Sequence, residues 1–174
     1  MDLNKRTLVI GSPGSGKSTF SKRLAEVTKL PLFHLDKIYW KSGWTPVTRE
    51  IFDSELDKIL NLDKWIIDGD YLRTLETRIG FAQRIIFLDI NWAVCIYRVF
   101  KRNIRGKHNP RTDITQGCDE KFDHNFYELL KFIRMFPNTE RIRILKLLDS
   151  NAHKKEIIVL KNKGSINKYF KDTE

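Results

Sequence analysis

Nine consecutive residues near the start of the chain, Gly11, Ser12, Pro13, Gly14, Ser15, Gly16, Lys17, Ser18 and Thr19, contain the pattern G-x-x-x-x-G-K-[ST]. The chemistry this spacing serves is the holding of a string of phosphates. Glycines let the backbone turn tightly and aim successive N–H groups at phosphate oxygens. A helix beginning at the end of such a loop adds its positive N-terminal end at the same place. Lys17 then reaches the β- and γ-phosphates, and the Ser18 hydroxyl ligates Mg²⁺. The expected ligand is a nucleoside triphosphate, ATP with Mg²⁺. A Gly/Ser-rich turn matching by chance is the alternative, and the apolar run before the loop together with the helical pattern after it counts against that.

Three further groups carry candidate chemistry. Asp68 ends the apolar run Trp65-Ile66-Ile67, where a carboxylate holds Mg²⁺ directly or through water; its plainer role is a turn before Gly69. Asp70 is a weaker candidate for the same task. Asp36 follows a second apolar run and is placed to orient or deprotonate an acceptor hydroxyl, since phosphoryl transfer needs mainly positioning and electrostatics; a solvated strand-end carboxylate or a helix cap is the alternative. The aromatics Phe33, Tyr39, Trp40 and Trp44 suit either stacking on an acceptor ring or ordinary packing. Residues 91–112 contain no acid, and Arg98, Lys101, Arg102 and Arg105 fall within an arc of roughly 100° of one helix. Of these, Arg98, Arg102 and Arg105 are the candidates for neutralising charge on a transferring phosphoryl group, with a solvated basic face as the bland reading.

These residues need a scaffold, and the alternation of short apolar runs with amphipathic stretches predicts one. Strands are expected at residues 7–10, 32–35, 65–67, 84–90 and 156–160. Helices are expected at about 17–30 (Leu24, Val27 and Thr28 inward), 48–60 (Ile51, Phe52, Leu56 and Ile59 inward), 73–79, 92–105, 122–136 and 140–148, with a last one after Gly164. In the helix over 92–105, Ile96, Phe100 and Ile104 are expected to pack, opposite the basic arc. The loop holding Tyr39, Trp40 and Trp44 is read as irregular, and residues 106–122 as a lid. Such a pattern is a single doubly wound α/β domain over residues 1–174, with ligands at the carboxyl ends of its strands.

The whole-chain properties exclude other classes. The chain has 174 residues, 41% hydrophobic and 31% charged, which suits one packed soluble domain. No apolar run approaches the roughly 20 residues of a membrane span, and the cytoplasm is the expected compartment. Cys95 and Cys118 have neither metal-ligand nor disulfide spacing, and the four histidines are scattered. The net charge of +10 attracts anions, including nucleic acid, so an ATP-regulated, sequence-nonspecific DNA-binding protein is the alternative to an enzyme. No helix-turn-helix or zinc-finger pattern is present.

The chain resembles the adenylate-kinase-like branch of P-loop phosphotransferases, and within it the bacterial DNA topology modulation proteins (FlaR-related). The likeness runs through residues 11–19, His34-Leu35-Asp36-Lys37-Ile38-Tyr39-Trp40, Gly43-Trp44-Thr45-Pro46, 65–71, 117–123 and 156–161, nearly the whole chain in order. It implies a three-layer fold whose five-stranded parallel sheet runs 2-3-1-4-5, a mobile lid after the fourth strand, and ATP as ligand, with residues 161–165 against the adenine. Two departures are Asp70, where the group has Asn, and Asn109-Pro110-Arg111, rearranged against an Arg-Pro order. The D-G-F-P-R segment of adenylate kinases is missing, so AMP as acceptor does not carry over. The expected activity is transfer of the γ-phosphoryl of ATP to a nucleotide or other small molecule.

Overall fold

The computed structural model describes residues 5–105, 113–118 and 122–172. The chain runs β1 (Thr7–Ile10), α1 (Lys17–Thr28), β2 (Leu32–His34), α2 (Leu35–Tyr39), β3 (Trp40–Lys41), β4 (Thr45–Pro46), α3 (Arg49–Leu60), β5 (Ile66–Asp68), α4 (Leu75–Phe81), β6 (Arg84–Leu88), α5 (Trp92–Arg105), α6 (His124–Met135), α7 (Glu140–Asn151), β7 (Glu156–Leu160) and α8 (Lys163–Lys171). Five strands form one parallel sheet in the order β2-β5-β1-β6-β7. With the two short strands of the β3–β4 hairpin left out of the numbering, this is the expected order 2-3-1-4-5.

A parallel sheet covered on both faces needs strands that are apolar at every position, which is why β1 and β6 are fully buried runs. Alternate side chains point to opposite faces. Leu8, Ile10, Ile67 and Phe87 meet Phe52 and Leu56 of α3 and Ile144 and Leu148 of α7. Val9, Ile66, Ile86 and Leu88 meet Phe20 and Leu24 of α1, Cys95 and Val99 of α5, and Phe170 of α8. The result is three layers. Helix starts follow local capping: Thr48 accepts from the Ile51 N–H, Asp123 from Phe126, and Asn162 forms a capping box with Ser165. No helix among the described residues is long and apolar enough to cross a membrane. Cys95 and Cys118 are unpaired and buried.

Several expectations need correction. The aromatic stretch after residue 34 is α2 followed by the β3–β4 hairpin, so Asp36 lies in the first turn of a helix and the strand ends at His34. The helix expected at 73–79 is a 3-10 turn at Leu72–Thr74 running into α4. Ile51 is 46% exposed, because α3 buries Phe52, Leu56, Ile59 and Leu60 instead. In α1 the buried positions are Phe20, Ser21 and Leu24, with Val27 and Thr28 at the margin. The largest correction is α5. Ile96 packs against the core as expected and Phe100, 39% exposed, touches Phe126, but Ile104 is 69% exposed, whereas Cys95 and Val99 are fully buried. The helix docks through its smaller side chains because the phosphate loop must press against it: a Cβ on Gly14 would strike the Cys95 carbonyl oxygen. The lid expected over residues 106–122 lies mostly outside the described residues.

Candidate active site

The loop between β1 and α1 is built to leave backbone N–H groups unspent. Gly16 takes a left-handed conformation before α1, no side chain caps that helix, and its first turn contains no acid. The helix therefore presents bare donors and a positive end to whatever sits in the loop. Gly14, at φ 79°, both needs the left-handed region and has no room for a side chain. Ser15 is fully buried and its Oγ lacks a hydrogen-bond partner. The Lys17 ammonium folds back over the loop, donating to the carbonyl oxygens of Gly11 at 2.6 Å and Ser12 at 3.1 Å. Pro13, Gly14, Gly16, Lys17, Ser18 and Thr19 open onto a cavity of about 1060 Å³, while Gly11, Ser12 and Ser15 lie beneath it. A cradle of this shape, with one ammonium close by, fits a chain of phosphates.

The carboxyl ends of β2 and β5 supply the acids on the far side of that cavity. Parallel pairing sets His34 directly beside Asp68, and His34 Nδ1 lies 2.8 Å from Asp68 Oδ2. Both side chains are buried. Asp68 Oδ1 has no hydrogen-bond partner, so it remains available to a cation, and the donor set Asp68 and Ser18 fits Mg²⁺. Asp70, two residues on, reaches the cavity with one edge and is otherwise deep. Burial pushes its carboxyl up to about 6, while Lys17, Arg78 and an N–H from Gly11 pull it back and Glu140 pushes it further up. That places Asp70 close to the phosphate loop, a role the sequence ranks below that of Asp68.

Asp36 lines the same cavity, and its Oδ1 accepts a 2.8 Å hydrogen bond from the Tyr71 hydroxyl. Burial first, then the charge of Asp36, holds Tyr71 above its ordinary pKa, so it stays a donor. Its ring is held between Tyr39 (4.9 Å) and Phe52 (5.2 Å). The Tyr71 loop is pinned in turn by Arg78, which is fully buried and donates to the Gly69 carbonyl at 2.8 Å, the Tyr71 carbonyl at 2.6 Å and Thr74 Oγ1 at 3.2 Å. Burial lowers Arg78 to about 10, with Asp70 the first of the groups opposing the shift, so it remains charged at neutral pH. Gly69 allows the close fit: a Cβ there would lie 2.7 Å from Leu35 Cβ.

On α5, Arg98 and Arg102 share the arc of Cys95 and Val99 and line the cavity rather than a solvated face. Arg98 donates to the Ser15 carbonyl at 2.8 Å and reaches the Gly14 carbonyl at 3.5 Å. Lys101 is exposed and lies over the Tyr97 ring. The side chain of Arg105 lies outside what is described, as does Arg111. Burial pushes the Cys95 thiol up, which marks it as packing rather than a nucleophile.

The segment 113–118 crosses to the opposite rim. Thr115 Oγ1 donates to the Trp40 carbonyl at 2.6 Å, the Gly43 N–H donates to the Gly117 carbonyl at 3.0 Å, and the Cys118 thiol donates to the Lys41 carbonyl at 3.1 Å. Asp113 and Ile114 thereby join the cavity wall. Sequence reasoning missed Tyr71, Arg78 and the pairing of His34 with the candidate metal acid Asp68. Only the last had a usable signal, since the register of two adjacent strands sets His34 and Asp68 side by side.

No protein-family profile and no curated protein matches the chain. Solved structures do. Shikimate kinase from Acinetobacter baumannii superposes with a TM-score of 0.54 at 15% identity, over 97% of this chain and 89% of that one. Deoxyadenosine kinase from M. mycoides gives 0.52 at 17% identity, over 96% and 97%. An inferred kinase of Chloroflexus aurantiacus gives 0.51 at 16% identity, over 97% and 98%. The chain therefore has the three-layer α/β fold of P-loop kinases.

Proposed function

We propose that this protein is an ATP-dependent phosphotransferase acting on a small molecule. The observation that carries the reading is the phosphate cradle, bare N–H donors with Lys17 folded over them, opening into the same cavity as Asp36, Asp68 and Asp70. Residues 11–19 would hold the triphosphate, and Ser18 with Asp68 would hold Mg²⁺, which offsets phosphate charge when bound. Lys17 would exchange the Gly11 and Ser12 carbonyls for phosphate oxygens. Asp36, aligned by Tyr71, takes the proton of an acceptor hydroxyl as its oxygen bonds to the γ-phosphorus and the bond to the leaving ADP breaks. Arg98 and Arg102 stabilise charge on the transferred group; Arg105 belongs to the same proposal.

The architecture of the neighbouring kinases supports this class of chemistry but leaves the acceptor open. Membership of the DNA topology modulation group, the lid over residues 106–122 and the adenine contact at 161–165 belong to the same proposal and rest on the sequence likeness, the lid also on loop length; a cytoplasmic location, proposed with them, rests on the sequence showing neither an apolar span nor a targeting pattern. DNA binding rests only on net charge and the acid-free basic segment 91–112. Titration calorimetry with ATP and Mg²⁺ tests the reading: wild-type chain is expected to bind, Lys17→Ala to bind far more weakly. Equal affinity in the two would refute it.

A further inference from the structure

Of the aromatics Phe33, Tyr39, Trp40 and Trp44, the fold turns two toward packing and two toward the cavity. Phe33 and Tyr39 lie against the core that α3 covers. Trp40 and Trp44 are half-buried and line the cavity. Their rings stand at 79° to each other with centroids 5.4 Å apart, and Tyr39 backs Trp40 edge to face at 4.7 Å. The two indoles therefore form a corner rather than a sandwich.

The corner is strained. Trp44 has φ 58°, in the left-handed region, which a bulky side chain enters only under constraint. The other non-glycine residue there among those described, Lys29, ends α1, where such geometry is ordinary. Trp44 follows Gly43, also left-handed at φ 75°, in the turn of the β3–β4 hairpin. That turn is braced: the Gly43 N–H donates to the Gly117 carbonyl at 3.0 Å, Thr115 Oγ1 to the Trp40 carbonyl at 2.6 Å, and the Val47 N–H to the Tyr39 carbonyl at 2.8 Å. Strain kept at a cavity wall, and held by a segment that crosses to it, marks a ring presented to a ligand. Trp40 also ends α2, its N–H donating to the Asp36 carbonyl. Asp36 and Trp40 thus stand one helical turn apart on the same wall, with about 5–6 Å between Cβ atoms.

A flat unsaturated ring fits this corner twice over, face against one indole and edge toward the other, and both arrangements gain from the ring quadrupoles. A saturated ring packs by area alone. On the kinase reading above, we infer that the acceptor carries a planar unsaturated ring read by Trp40 and Trp44, with its reacting hydroxyl a few bonds from that ring, where Asp36 meets it.

Pairs matched except for saturation of the ring test this: uridine against dihydrouridine, thymidine against dihydrothymidine, and benzyl alcohol against cyclohexylmethanol. Each is offered with ATP and Mg²⁺ to the full chain, and kcat/KM for ADP release is measured. Wild type is expected to prefer the planar member about tenfold or more. Trp44→Leu should bring the ratio toward one, and Trp44→Phe, which keeps a ring, should retain it. Equal use of both members by wild type, or an unaltered ratio in Trp44→Leu, overturns the inference. Where no pair turns over, the compounds are titrated into the chain with and without ADP·Mg²⁺ and tryptophan fluorescence is followed. A change with the planar members that Trp44→Leu diminishes supports the inference; an equal change with both members, or none with any, overturns it. ATP affinity equal to wild type shows that Trp44→Leu is folded, and Trp40→Leu replaces it if it is not. Failure of ATP to bind wild type removes the kinase reading instead, and the titration without nucleotide still decides the corner.

Discussion

The two ends of the central sheet treat charge in opposite ways. At the amino ends of the strands, Glu156 accepts a 2.9 Å bond from Lys5 and pairs with buried Arg84 at 3.1 Å. Lys155 donates to the carbonyls of Gly80 and Ala82. Burial pushes the Glu156 carboxyl up, but the bonds from Lys5 and Arg84 outweigh it and hold the group below its ordinary value. At the carboxyl ends, Asp68 and Asp70 each keep an orphaned oxygen, burial raises Asp70 to about 6, and the phosphate loop leaves its donors bare. The amino end sets its charged groups against opposite charges within the chain. The carboxyl end keeps groups that a ligand would satisfy, which is how a binding site gives up stability for function.

This contrast breaks if substitutions at the two ends have the same kind of effect. The largest expected change is Lys17→Ala, lowering ATP-dependent phosphoryl transfer by about 10²–10³-fold while moving the urea midpoint little; a large loss of stability would place Lys17 among the structural groups. Arg78→Met sharpens the contrast from within, because Arg78 is the stabilising cation of the functional end. Its loss leaves the Gly69 and Tyr71 carbonyls unmatched and is expected to cost about 3 kcal/mol in chemical denaturation. Tyr71→Phe removes the donor to Asp36 and should lower kcat about tenfold, equivalent to about 1.4 kcal/mol, with KM for ATP unchanged; unaltered kcat would detach Tyr71 from the chemistry.

The smallest effect is expected from Glu156→Gln, about 1 kcal/mol of stability at neutral pH with transfer unaffected. Its carboxyl is held below the unfolded value of 4.5, so its contribution is complete above that pH and fades as the pH falls through the folded value. Wild-type and variant denaturation midpoints should converge in acid; a constant gap would show that the ion pairs are not its source.

Much of the architecture was legible because the rules behind it are local. Strand β1, the glycine loop and α1 follow from apolar runs, turn residues and a helical period within a few residues of one another, and the sheet order matched the one implied by resemblance. The α5 face was misread in part, for the opposite reason. Hydrophobic size favoured Ile96, Phe100 and Ile104; Ile96 does pack at the margin of the core, but the close approach of Gly14 to Cys95 turned Cys95 and Val99 inward and left Ile104 exposed.

The sequence by itself determined the phosphate loop, because its conformation is dictated by which residues lack a Cβ and where an ammonium follows. It also marked Asp68 as a strand-end acid, whereas Asp36, expected at a strand end, stands in the first turn of α2. Only the tertiary structure decided what those acids face: Tyr71 from 35 residues away, held by buried Arg78, His34 across a strand pair, and residues 113–118 tied over the hairpin. Each of these contacts joins segments that no local rule relates, since hydrogen bonds and charges act through space and the chain's path brings their partners together only once the sheet has formed.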